Sequence, residues 1–268
     1  LYADFGVRCL PAGNTGVQMG GWFKREVPDL ASLQGLKMRI PGMGGRVMAE
    51  LGVSVQNIAG GDIYAALETG AIDATEWVGP YDDEKLGFHK AAAFYYQPGW
   101  WEPGPNLSFF VSERARAQLP AEYREILTAA AHEAGIAMMT RYDQRNPGAM
   151  RRLLEAGVQT RTFSPEIMRR AREVSFQTYA DHAAKDEGYR KVHQSWEGAR
   201  KEMATWWGMA EPIRCAPQYS AASYLTVTPP GSRVMVSSTF ASASRRSSRG
   251  RSRHAARMAS RNFAGSTR

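Results

Sequence analysis

The stretch LKMRIPGMGGRVMAELGVSVQNIAGGDIYAALETGAIDAT (residues 36–75) decides the fold. Leu36 to Ile40 reads as a strand stopped by Pro41-Gly42, since proline removes a backbone donor and glycine opens a turn. Gly44 to Leu51 reads as a helix that begins in glycine, and Val53-Ser-Val55 as a second strand. Gly60-Gly61-Asp62 then introduces another helix, with Asp62 placed to cap its start and Gly70 its end. Ile72 to Thr75 is the next strand. Short strands alternating with helices argue for an α/β sheet with crossover connections. The helix entry at 60–62 beside a strand end also turns backbone N–H groups toward any anion or polar ligand nearby.

On the N-terminal side, residues 3–9 read as a strand, Pro11 to Gly16 as a loop rich in turn formers, and Gln18 to Phe23 as a short apolar stretch. On the other side lies ATEWVGPYDDEKLGFHKAAAFYYQPGWWE (74–102), which opens with Glu76-Trp77 and closes with Trp100-Trp101-Glu102. Between these pairs come a Gly-Pro turn, an acidic helix start and a short aromatic strand. Acids grouped with aromatics at two chain crossings read as a lined pocket. Asn106 to Ser112 is a strand, Glu113 to Tyr142 a helix broken near Leu119-Pro120, Pro147 to Glu155 a further helix, and Val158 to Phe163 a strand. Ser164-Pro165-Glu166 supplies a cap, a proline at the first helical position and an acid in the first turn. From there to Trp207 the only glycines are Gly188 and Gly198, which predicts a long helix, interrupted at Gly188, that spans more than one lobe.

The 268 residues suffice for one large or two ordinary domains, and no run of about 18 apolar residues is present to cross a membrane. The opening Leu1-Tyr2-Ala3-Asp4 resembles the interior of a strand, so the chain reads as a fragment and its lack of a targeting segment is uninformative. The formal charge of +8 belongs to the C-terminal tail: ten arginines and no acid follow Glu211, which leaves −2 for residues 1–211. Residues 212–268 are rich in Ser, Arg and Ala and too poor in apolar periodicity to offset chain entropy, which predicts disorder. The abrupt change reads as translation in a shifted frame rather than as a nucleic-acid-binding arm. Cys9 and Cys215 are too few for a disulfide framework and form no metal pair.

The candidate chemistry narrows quickly. No G-x-S-x-G context is present for a hydrolase. The five histidines (89, 132, 182, 193 and 254) include no i, i+4 pair and no H-E-x-x-H; His132 and His182 read as ordinary helix positions. Gly42-Met-Gly44-Gly45 fails as a dinucleotide loop, because Val47 stands where the last glycine belongs. Arg39 alternates with Met38 and Ile40 at a strand's C-terminal end, where α/β folds place ligand groups. It reads equally as a bidentate clamp for a carboxylate or as a structural ion pair. Glu76 and Glu102 with nearby backbone carbonyls suit a hard, oxygen-loving cation, or else a domain seam.

Several stretches coincide with one family. PDLASLQGLKMRIP (28–41), GGDIYAALETGAIDA (60–74) and EWVGPYDD (76–83) resemble the extracytoplasmic solute-binding subunits of tripartite ATP-independent periplasmic (TRAP) transporters, the GLKMRIP strand being the most specific mark. The resemblance covers residues 1 to about 211. Within the family, EWVGP and PGWWEPG (98–104) are similar to the branch that binds 2-oxo acids such as pyruvate through a sodium ion.

The resemblance implies a two-lobe periplasmic binding protein of α/β class with hinge strands and a long C-terminal helix, its first lobe mostly missing here. Residues 1–75 and 103–163 would form most of the second lobe, 76–102 a remnant of the first, and 164–211 a helix across both. Arg39 would clamp the ligand's carboxylate, and Gln18 would touch both substrate and metal. Glu76 and Trp77 would line the cleft, Trp77 offering its backbone carbonyl to the sodium ion, with Glu102 completing the coordination. The partners implied are a 2-oxo acid, the TRAP membrane permease and, through the C-terminal helices, a second copy. A metal-dependent enzyme acting on 2-oxo acids, or a binder of a hydroxy acid such as lactate, are the alternatives.

Overall fold

Six short strands align in the order β4-β3-β5-β2-β6-β8. They are β2 (Trp22–Phe23), β3 (Lys37–Arg39), β4 (Ser54–Gln56), β5 (Ala74–Thr75), β6 (Phe94–Gln97) and β8 (Gln159–Thr162). The structure, a computed structural model, describes residues 2–102 and 104–210, with side chains as far as residue 206. The tail 212–268, expected to be disordered, lies outside the described residues. β3 pairs in parallel with β4 and β5, β2 runs antiparallel between β5 and β6, and β8 closes the edge parallel to β6. The crossovers are α1 (Gly42–Glu50) and α2 (Ile63–Thr69), the helices that the α/β alternation predicts.

Period-two alternation distributes side chains to the two faces of this sheet. Phe23, Met38 and Tyr96 enter one core with α1 and with α6 (Pro165–Lys185), which contributes Ile167, Ala171 and Val174. Trp22 and Tyr95 enter the opposite core with Ile63, Leu67, Phe88 and Leu153. Leu153 comes from α5 (Ala121–Glu155), which packs beside α3 (Pro80–Leu86) on that face. Gly21, at φ +86°, is the one residue type that fits where the chain enters β2: a Cβ there would lie 2.4 Å from the Thr75 carbonyl oxygen.

A second, two-stranded sheet pairs β1 (Val7–Asn14) antiparallel with β7 (Asn106–Ser112), followed by the short α4 (Glu113–Ala117). Leu10 and Ala12 of β1 bury against Ala131 of α5. One long helix therefore packs against the small sheet with its first half and against α3 with its second.

Several sequence expectations change: Ala3–Phe5 is a 3-10 turn ahead of β1, and Asp62 makes no side-chain cap bond to α2. Phe94–Gln97, assigned to a remnant of another lobe, forms β6 inside the larger sheet, because its partners β2 and β8 are distant in sequence. β1 continues through Pro11 to Asn14 where a loop is expected; the proline sits at an irregularity in the ladder, where its missing N–H costs little. α5 runs unbroken through Pro147. The long C-terminal helix breaks at Asp186 and not at Gly188, since the Asp186 carboxylate accepts the Tyr189 N–H at 2.6 Å and starts α7 (Glu187–Ala210).

Candidate functional site

The register of β3 against β5 builds the centre of the site. Arg39 pairs with Thr75, and the Glu76 N–H donates to the Arg39 carbonyl at 3.1 Å, so two charged side chains at adjoining strand ends are neighbours by construction. Arg39 is 9% exposed and Glu76 5%. The Arg39 guanidinium donates through Nη1 to the Glu76 carboxylate and, at 3.1 Å, to the Glu76 main-chain oxygen; Nε donates to the Ile58 carbonyl at 3.2 Å. Among the described residues Nη2 donates no hydrogen bond, so its two N–H groups remain able to take a ligand carboxylate oxygen.

Gln18 reaches the same carboxylate from the segment between β1 and β2. Its Nε2 donates to Glu76 Oε2 at 3.0 Å, which fixes the amide's orientation because only the nitrogen can donate. The amide oxygen Oε1 is left buried with no partner. A buried acceptor in that state costs about 1–3 kcal/mol, and a cation or a ligand donor would relieve it. Burial pushes the Glu76 carboxyl up to about 7, opposed by Arg39 and reinforced by the charges of Glu102 and Asp83.

Trp77 follows directly, with its ring centroid 5.1 Å from the Arg39 guanidinium carbon. The Gly99 N–H donates to the Gln18 carbonyl at 3.2 Å and the Glu102 N–H to the Gly99 carbonyl at 3.4 Å, which ties the Trp100-Trp101 turn to Gln18. Trp101 packs edge-on to Phe163 at 5.6 Å, and both indole N–H groups of this turn are buried without an acceptor among the described residues. The structure thus joins Gln18, Arg39 and Glu76 by hydrogen bonds and sets the Trp77 ring against Arg39. Glu102 is joined to them only through its charge: its side chain is exposed and makes no hydrogen bond to the other four. Among the described residues no three His, Cys, Asp or Glu side chains gather to hold a metal. A cation here would rest on the Gln18 amide oxygen, a main-chain carbonyl and Glu102, and the unpartnered amide oxygen fits that donor set.

One residue of this region goes unremarked in the sequence beyond its place in an acidic helix start. Asp83 is 1% exposed and accepts from Trp22 Nε1 at 2.9 Å, the Tyr95 hydroxyl at 2.7 Å, and the N–H groups of Gly79 at 3.2 Å and Val78 at 3.4 Å. It holds the first turn of α3, immediately after Trp77, to both β2 and β6. Burial pushes its carboxyl up to about 7 against these donors. The Gly-Pro start with an acid in the first helical turn is the available sequence signal; the two aromatic donors are visible only in the fold.

Comparison with known proteins accords with this geometry. The chain is 52% identical over 206 residues to the monocarboxylate 2-oxoacid-binding periplasmic protein of Nostoc sp. strain PCC 7120, covering 77% of this chain and 57% of that one. A TRAP periplasmic solute-binding protein of Pseudoalteromonas atlantica T6c, solved with bound sodium and pyruvate, is 40% identical with a TM-score of 0.75 over 78% of this chain and 64% of that one. A TRAP transporter solute-binding protein of Bordetella bronchiseptica RB50, a dimer with copurified calcium and picolinate in its active site, is 41% identical with a TM-score of 0.76, over 78% and 62% of the two chains. The chain therefore spans about three-fifths of the length of these relatives. Residues 6–186 match the family described as bacterial extracellular solute-binding protein, family 7, a match that takes in both sheets and all of the hydrogen-bonded centre. With that span, and with relatives near half identity, the chain belongs to the family 7 extracellular solute-binding proteins.

Proposed function

We propose that the protein captures a 2-oxo monocarboxylate of the pyruvate type in the periplasm, together with a bridging sodium ion, and delivers it to a TRAP membrane permease. The observation that carries this reading is the buried chain Gln18–Glu76–Arg39, with a guanidinium nitrogen, Nη2, free to donate at one end and an unpartnered amide oxygen at the other. A 2-oxo acid presents a matching pair, a carboxylate for Arg39 and a ketone oxygen beside it. The cation would supply positive charge between oxygen donors that otherwise repel, and Gln18, the Trp77 carbonyl and Glu102 are the residues that would hold it. Trp77 covers Arg39 and keeps water from the pair, which strengthens both contacts.

Binding is favoured over catalysis by the state of Glu76. Its carboxylate is held on one oxygen by Arg39 and on the other by Gln18, a placement that fixes the ligand-binding guanidinium and amide. A hydroxy acid such as lactate offers the same carboxylate with a hydroxyl in place of the ketone, and the likeness to a 2-oxoacid-binding relative favours the oxo acid. A homodimer is supported by the half-exposed apolar residues Val192, Trp196, Met203 and Trp206 on α7. Light scattering on the purified chain gives its mass directly.

Titration calorimetry with pyruvate and lactate, each in sodium, calcium and potassium buffers, tests the central reading. The expected result is pyruvate binding that depends on the cation. Binding indifferent to the cation would remove the bridge, and recovery of a chemically changed acid would replace the binder with an enzyme.

A further inference from the structure

The outer ring of Trp77 abuts a residue that has no side chain. A Cβ built on Gly60 would lie 2.6 Å from Trp77 Cη2, 3.2 Å from Cζ3 and 3.4 Å from Cζ2, all three atoms of the indole's outer ring. Gly60 does not have a positive φ, so the backbone alone would accept any residue there. Its neighbour Gly61 has open space at the same distance, in the same short helical turn (Gly60–Asp62). The requirement for glycine at 60 therefore comes from the indole. The same loop accepts the Arg39 Nε–H through the Ile58 carbonyl. The loop thus holds Arg39 at one residue and backs Trp77 two residues later, while the indole lies against the guanidinium at 5.1 Å.

We propose that Gly60 is a positioning residue of the ligand site: the space left by its missing side chain is what lets Trp77 lie flat beside Arg39. This rests on the function proposed above. A methyl group at 60 must displace the outer ring by nearly an ångström to reach ordinary contact, and the same indole lies against the Arg39 guanidinium. The displaced ring then shifts the guanidinium or enters the space where the acid binds.

The test is a set of four full-length variants, G60A, G61A, W77F and G60A/W77F, measured by pyruvate calorimetry with sodium present and by the Trp77 indole N–H resonance, which its loss in W77F assigns. G60A should weaken pyruvate binding about tenfold, at the low end of what overpacking costs, and should move the Trp77 resonance. G61A should do neither. In the W77F background, where the outer indole ring is gone, adding G60A should change affinity less than about twofold. Equal losses from G60A and G61A, or an undiminished loss from G60A in the W77F background, would overturn the proposal. If G60A does not fold, recovery of folding in G60A/W77F supports the clash and continued failure overturns it. Absence of any pyruvate binding by the wild-type protein would refute the proposed function, and the indole resonance would then decide Gly60's role on its own.

Discussion

Replacing Asp83 by alanine removes the acceptor for two donors that have nowhere else to turn. Trp22 and Tyr95 are both fully buried and stack on each other at 4.0 Å, so neither the indole N–H nor the hydroxyl can reach water. Each orphaned donor costs about 1–3 kcal/mol. The lost bonds to the Gly79 and Val78 N–H groups, at the positive end of α3, add to that. The sum is about 3–6 kcal/mol, a large share of the 5–15 kcal/mol typical of a domain. That figure applies at acid pH, where Asp83 carries its proton in both states. Burial holds the folded carboxyl at about 7 against an ordinary 3.8, so the folded protein binds the proton more tightly than the unfolded chain. The wild-type protein therefore loses up to about 4 kcal/mol of Asp83's contribution as pH rises from 4 to 7. The alanine variant has no such group, and the cost of D83A should shrink over that range. Urea midpoints at pH 4.5, 6 and 7.5, followed by tryptophan emission, measure it, with D83A compared in an E76Q background because the Asp83 charge acts on Glu76. A cost that stays constant or grows with pH would mean that the carboxylate is ionised in the fold, its four donors outweighing burial.

Other substitutions separate binding from stability. Arg39→Lys keeps the charge but loses the planar fork, and pyruvate affinity should fall at least about tenfold; calorimetry showing wild-type affinity would reject the clamp. Gln18→Leu removes the unpartnered amide oxygen, so any pyruvate binding that remains should no longer distinguish sodium from potassium. Ser164→Ala deletes the side-chain acceptor for the Ile167 N–H at the start of α6 and should lower stability by about 1 kcal/mol in urea titration, with ligand affinity unchanged. Arg152→Ala breaks an ion pair with Glu84 in which the arginine side chain is 49% exposed, and should cost less than about 1 kcal/mol.

Much of the site is legible in the sequence because it is built locally. Arg39 stands out by strand alternation and Glu76 by its place at a strand end, and a ladder one residue out of register would part them. Gln18 carries no local signal of its own; the family motif singles it out, and only its bond to Glu76 explains why its oxygen is left over. Glu102 has the motif without a hydrogen bond to the cluster. The misread elements share a cause: β6, the continuation of β1 through Pro11 and the run of α5 through Pro147 all depend on partners distant in the chain, which override local turn and helix-breaking propensities. Asp83 and Gly60 are invisible for the same reason, since one is defined by aromatic donors on two other strands and the other by an indole 17 residues on.

The place of β8 at the edge of the larger sheet bears on how the chain is made. Gln97 of β6 meets Thr162 of β8 across 65 positions of sequence, and all of α5 lies between them. At about 5–20 residues per second, β6 leaves the ribosome roughly 3–13 seconds before its outer partner exists. During that interval its ladder groups present an unpaired edge beside the stacked Trp22–Tyr95 pair, open to strands from other chains. The β6 edge is thus open to aggregation while α5 is being supplied, and a holdase that covers β6 until Thr162 is available should raise the folded yield.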